Sequence, residues 1–116
     1  MEKLIISGKR VLNGEVNIHG AKNAALPILC ASILCDEKVV LKNCPCLTDV
    51  DNTIEILEFL GCKVFRSGNT VEILPSSYQK TFIPEHFMNK MRSSIIFLGS
   101  LLSNNGCAKL CMPGGC

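Results

Sequence analysis

No apolar stretch in these 116 residues reaches the roughly 18 that a membrane span needs, and the opening MEKLIISGKR has too short an apolar run for a secretory signal. Strong charge of one sign is missing too. Twelve lysines and arginines stand against 10 aspartates and glutamates, and a net charge of +2 with no basic stripe argues against nucleic acid or a membrane surface as a partner. Also absent are a Cys-x-x-Cys pair and neighbouring histidines: Cys30, Cys35, Cys44, Cys46, Cys62, Cys107, Cys111 and Cys116 are scattered, and His19 and His86 stand apart. A structural zinc site usually draws its four ligands from two close pairs, so no metal is expected. The cysteines read as free thiols of a reducing compartment, most of them small core hydrophobes, and the chain is placed in the cytoplasm. Length excludes a two-domain enzyme within this chain, leaving one domain with a modest core.

What is present is an alternation of short strands and helices, an α/β pattern. KLIISG and GEVNIHG read as glycine-bounded strands, with Asn13-Gly14 as a turn signal before the second. NAALPILCASIL is apolar nearly all round and suits a helix buried on every side. KVVLKNC follows as a strand closed by Pro45. Thr48 or Asp49 can cap a helix through VDNTIEILEFL, where Val50, Ile54, Leu57 and Leu60 form one stripe and Gly61 supplies the stop. CKVFRS and TVEILP alternate around Gly68-Asn69 as a hairpin. Pro84 can open a third helix running through MRSSIIFLGSLL to the NNG stop at Asn104 to Gly106, and CAKLCM is a last strand.

Greasy helices beside strands with one wet face imply helices inside and sheet outside. A shift of about 69 residues lays Leu26, Ile28, Leu29, Val39 and Leu41 over Ile95, Phe97, Leu98, Ala108 and Leu110, and carries Lys22 and Asn23 onto Met91 and Arg92. Two copies of one helix-strand unit are an incomplete set, since such repeats bury their faces against neighbours, so the chain reads as the front part of something larger.

The chemistry concentrates in HGAKNAALP. Pro27 lacks a backbone donor and sits most comfortably in a first helical turn, which places the helix start near Asn23 and makes Asn23 a cap. Lys22 stands immediately before it, where free N–H groups and the positive end of the helix dipole favour a phosphate or carboxylate. An ordinary solvated lysine before a capped helix is the bland alternative. Arg92 occupies the corresponding point of the second copy, so two cations can converge on one cleft. The chain closes on KLCMPGGC, where Pro113, Gly114 and Gly115 form a loop that presents the Cys116 thiol as a proton donor or nucleophile.

GEVNIHGAKNAALPILCASIL, LTDVDNTIEILEFLG, KMRSSI and PGGC together resemble the opening segment of the enolpyruvyl transferases that act on UDP-N-acetylglucosamine. The resemblance implies an inside-out α/β barrel of repeated β-α-β-α-β-β units, three to a domain, with two domains around a cleft. Residues 1–20 would supply strands pairing with the domain missing here, and residues 21–116 the first repeat and the start of the second. The implied reaction moves the enolpyruvyl group of phosphoenolpyruvate to the sugar 3'-hydroxyl and releases phosphate, without a cofactor, in the first committed step of peptidoglycan synthesis. By carry-over Lys22 and Asn23 contact phosphoenolpyruvate, Arg92 binds substrate, and Cys116 donates a proton to the methylene carbon and is the thiol that fosfomycin alkylates. Lys22 and Cys116 are thus the catalytic candidates. The family's chain continues past this cysteine, so its remaining part is an expected partner and the segment alone is expected to be inactive. A transferase using shikimate 3-phosphate shares the fold but lacks the cysteine loop; a non-catalytic thiol or metal-binding module is the other alternative.

Overall fold

A computed structural model of the chain describes residues 2–76 and 80–112. Helix α1 (Lys22–Ala31) runs into a 3₁₀ turn, Ser32–Leu34, followed by strand β1 (Val39–Leu41), helix α2 (Thr48–Leu60), and strands β2 (Lys63–Ser67) and β3 (Thr70–Leu74). Strand β4 (Phe82–Ile83), helix α3 (Glu85–Met88), a 3₁₀ turn over Arg92–Ile96, helix α4 (Phe97–Asn105) and strand β5 (Lys109–Leu110) complete the described elements.

The middle of the chain folds as its pattern dictates. In α2 the residues Val50, Leu57 and Leu60 are fully buried, and Ile56 joins them while Ile54 lies half-buried at the edge. Gly61 ends the helix at φ +117°, a left-handed conformation that a side chain would resist. Its amide and that of Cys62 take up the last helical carbonyls, those of Glu58 and Leu57. The hairpin turns over Gly68-Asn69, with Ser67 opposite Thr70. β1 pairs antiparallel with β3, giving the order β1-β3-β2. Val71 and Ile73 of β3 are buried against the helices, whereas Val40 and Phe65 face solvent. The sheet therefore packs one face on the helices and turns the other to solvent, which is the outer-sheet half of the expected layering.

Other expectations are corrected. The strands expected at KLIISG and GEVNIHG do not form: residues 2–20 carry no helix or strand, and Leu4, Ile5, Ile6, Val11, Leu12, Val16 and Ile18 are all at least 79% exposed. A strand exists only by pairing, and no ladder partner reaches these residues among those described. Helix α1 is not buried on every side. Ala25, Leu26, Leu29 and Cys30 are buried on the side that meets α2 and α4, while Ile28 is 46% exposed.

The single third helix is broken in two. Met91 is extended at φ −155° and ψ 142°, and the Ser94 hydroxyl donates to the carbonyl oxygen of Met91 at 2.7 Å. That local bond offers the backbone an alternative to a continuous helical ladder. Pro84 caps the short α3 instead of opening a long helix. The parallel pairing of β4 with β5 was not legible beforehand, although CAKLCM correctly placed the second of the two strands.

The chain reaches α1 through a tight passage. A side chain at Gly20 would place its Cβ 2.0 Å from the carbonyl oxygen of Asn43, itself held at φ +56°, while Cys44 N–H bonds Asn69 O at 2.7 Å. Gly20→Ala is expected to destabilise by about 1–3 kcal/mol through overpacking. Denaturant unfolding of the folded protein checks this, and an unchanged midpoint would show that the segment before α1 shifts freely.

Candidate functional site

Three chain segments meet in a pocket of about 250 Å³. The first turn of α1 brings Lys22 and Asn23, the first turn of α2 brings Asp49, and the break before α4 brings Lys90, Arg92 and Ser93. The two sequence candidates that share a position in the repeat, Lys22-Asn23 and Arg92, therefore line one cavity although about 69 residues separate them in the chain.

Helix α1 opens without side-chain help. Its N-cap is Ala21, whose carbonyl accepts from Ala24 and Ala25 N–H at 3.2 and 2.9 Å, and no side chain caps it. Asn23 is consequently not the cap that its position suggested. The helix starts at Lys22, one residue before Asn23, because the capping conformation falls on Ala21. Pro27 lies beyond the first turn, where it gives no N–H to the Asn23 carbonyl four residues back. With neither a side-chain cap nor an acidic residue in this turn, the Lys22 and Asn23 amides remain available to an anion.

Asp49 was read as a possible cap of α2, yet the N-cap is Leu47 and no side chain bonds the helix amides. The carboxylate turns outward instead, and the Lys22 ammonium donates to Asp49 Oδ2 at 2.9 Å. Lys90, also absent from the sequence candidates, donates to Glu55 Oε2 at 2.6 Å and lies over the Phe87 ring. Among the described residues no acceptor engages the Arg92 guanidinium, whereas Lys22 and Lys90 each hold a carboxylate. Behind the charges, the fully buried Thr53 hydroxyl donates to the Asp49 carbonyl at 2.8 Å and lies 3.8 Å from Met91 Sδ, tying the wall of α2 to the segment that carries Arg92. Such a cavity can take a small anion between two cations and a helix start.

Cys116 and the Pro-Gly-Gly loop that carries it lie outside the described residues. A larger pocket of about 480 Å³ opens beside β4 and β5, but Phe82, Ile83 and Leu110 make it apolar and Lys109 is its one charge. Among the described residues no three His, Cys, Asp or Glu side chains are grouped to hold a metal ion, and no helix is long and apolar enough to cross a membrane.

The cysteines divide differently from expectation. Of those described, Cys30, Cys44 and Cys62 are buried, and Cys35, Cys46, Cys107 and Cys111 are exposed. Burial pushes the Cys30 thiol up to about 12. It also raises Cys44, against the pull of the Arg66 guanidinium, and Cys62, against a backbone hydrogen bond from Ser76. Since the thiolate is the nucleophile, iodoacetamide near pH 8 is expected to label the four exposed thiols well before the three buried ones. Peptide mass spectrometry would read the order, and early labelling of Cys30 would contradict the packing of α1.

The EPSP synthase (3-phosphoshikimate 1-carboxyvinyltransferase) family model matches residues 6–116. UDP-N-acetylglucosamine 1-carboxyvinyltransferase 2 of Caldanaerobacter subterraneus subsp. tengcongensis is 47% identical over all 116 residues, and UDP-N-acetylglucosamine 1-carboxyvinyltransferase of Lawsonia intracellularis is 48% identical over the same span. The chain covers 28% of the length of each of these relatives. Among solved structures, the enolpyruvyl transferase NikO from Streptomyces tendae superposes with a TM-score of 0.73 at 24% identity, over 84% of this chain and 23% of that one. That likeness bears on the fold, and it agrees with the enolpyruvyl transferase architecture that the family resemblance implies.

Proposed function

The chain belongs to the EPSP synthase (3-phosphoshikimate 1-carboxyvinyltransferase) family, and we propose that it is the opening segment of a UDP-N-acetylglucosamine 1-carboxyvinyltransferase. The observation that carries the site is the convergence of Lys22, Asn23 and Arg92 on one anion-sized pocket at the uncapped start of α1. Phosphoenolpyruvate brings a phosphate and a carboxylate, and such groups suit charge-assisted donors and free helix amides.

In this reading Lys22 and Asn23 hold phosphoenolpyruvate, and Arg92 binds substrate from the opposite wall. The sugar 3'-hydroxyl oxygen attacks C2 of phosphoenolpyruvate while Cys116 delivers a proton to C3, turning the methylene into a methyl group. Loss of a C3 proton then restores the double bond as phosphate leaves, so the acceptor gains the enolpyruvyl ether and the atoms balance. Cys116 is the general acid of the addition, and the base that removes the acceptor proton belongs to the remaining part of the enzyme. The reaction needs no cofactor, nucleic acid or membrane, and serves peptidoglycan synthesis in the cytoplasm. Residues 1–20 pair with the second domain, which accounts for the apolar side chains they leave exposed.

The alternative acceptor is shikimate 3-phosphate, the one that the family's description suggests. The relatives that share nearly half of the residues favour the nucleotide sugar. The full-length protein is expected to release phosphate from phosphoenolpyruvate when UDP-N-acetylglucosamine is added and not when shikimate 3-phosphate is added. Release with shikimate 3-phosphate alone would reverse the assignment, and release with neither would remove it.

A further inference from the structure

We propose that Asp49 is a positioning residue for Lys22, fixing the direction in which the ammonium meets the phosphoenolpyruvate anion; this rests on the reading of the site given above. Lysine carries its charge on a long flexible stem, and Lys22 projects from the mouth of α1 with its side chain 46% exposed. Among the described residues, Asp49 Oδ2 at 2.9 Å is the acceptor that holds it. An ammonium has three donors, so one spent on Asp49 leaves two for an anion in the pocket that Lys22 lines.

Asp49 is itself held. It sits in the first turn of α2, where the helix dipole favours a carboxylate, and its backbone carbonyl accepts from the buried Thr53 hydroxyl at 2.8 Å. The same turn carries Asp51, which takes the Arg66 guanidinium at 2.8 Å. Arg66 also donates to the carbonyls of Pro45 and Gly68, at 3.0 and 3.3 Å, and so locks that side of α2 to the hairpin. The two acidic residues thus divide their work: Asp51 ties α2 to the sheet, and Asp49 ties α2 to the pocket. Neither caps the helix, and among the described residues Lys22 is the hydrogen-bond partner of the Asp49 carboxylate.

The test is steady-state kinetics of the full-length enzyme with Asp49→Asn, Asp49→Ala and Asp49→Glu, alone and combined with Lys22→Ala. Asp49→Ala is expected to raise the KM for phosphoenolpyruvate about tenfold, with the KM for UDP-N-acetylglucosamine little changed. Asp49→Asn keeps the shape and an acceptor but not the charge, and falls between; Asp49→Glu recovers most of the loss. Asp49→Asn also serves if Asp49→Ala does not fold. In the Lys22→Ala background, Asp49→Asn should cause no further loss, and removing the unpaired carboxylate can recover part of the binding. A Lys22→Ala effect to which Asp49→Asn adds in full, or wild-type KM values in Asp49→Asn, would overturn the proposal while leaving the site intact. If Lys22→Ala itself leaves the KM for phosphoenolpyruvate unchanged, the reading of the site fails, and the role of Asp49 fails with it.

Discussion

Cys116→Ser in the full-length protein is expected to cut turnover by about 100-fold to 10,000-fold, the usual worth of a positioned general acid. The thiol suits the task because its unperturbed pKa of about 8.5 needs only modest help from positive charge to approach neutrality, whereas a serine hydroxyl stays far above it. Cys116→Asp is expected to keep part of the turnover, because a carboxyl group of raised pKa can deliver the same proton. Both variants should resist alkylation by fosfomycin, which needs the thiolate. Undiminished turnover in Cys116→Ser would show that the residue is only part of a loop.

Lys22→Ala is expected to have the next largest effect, raising the KM for phosphoenolpyruvate about 10-fold to 150-fold, the range for losing a hydrogen bond to a charged group. The loss should exceed that of Arg92→Ala. Removing Lys22 takes away one cation and also leaves the Asp49 carboxylate, now without its 2.9 Å partner, facing an incoming anion. Lys22→Arg should not restore binding, because a planar guanidinium prefers two parallel bonds to Asp49 and withdraws donors from the pocket. Comparison of the three KM values checks the order, and equal losses for Lys22→Ala and Arg92→Ala would count against a paired Lys22.

Local signals and non-local ones fared differently in the sequence. The stripe Val50, Leu57, Leu60, the stop at Gly61 and the Gly68-Asn69 turn each act within a few residues, and the structure forms α2 and the β2-β3 hairpin where they point. Strands at residues 2–20 needed a partner that periodicity cannot name, and no ladder forms there among the described residues. The break at Met91 depended on the Ser94 hydroxyl choosing a backbone carbonyl, a competition that an apolar pattern does not reveal. Burial of the cysteines likewise turned on packing: Cys30 lies on the covered face of α1, while Cys35 falls just past the turn that ends it.

The site divides along the same line. Lys22 and Asn23 were legible as residues at a helix start, and Arg92 through the repeat and the family resemblance. Asp49 and Lys90 were not. The first, which the sequence offers only as a possible cap, is 27 residues from Lys22, and the second is 35 from Glu55. Charges gain meaning here only when α1, α2 and the Met91 break are brought together, and Thr53 joins the last two from inside the core.

The most direct measurement is a crystal structure of the full-length protein with phosphoenolpyruvate and UDP-N-acetylglucosamine bound. Lys22 Nζ is expected to keep Asp49 and to lie within about 2.7–3.2 Å of a phosphoenolpyruvate oxygen, with Asn23 on the same molecule and Arg92 donating to bound substrate from the opposite wall. Both substrates bound away from Lys22, Asn23 and Arg92, with this pocket holding only solvent, would contradict it.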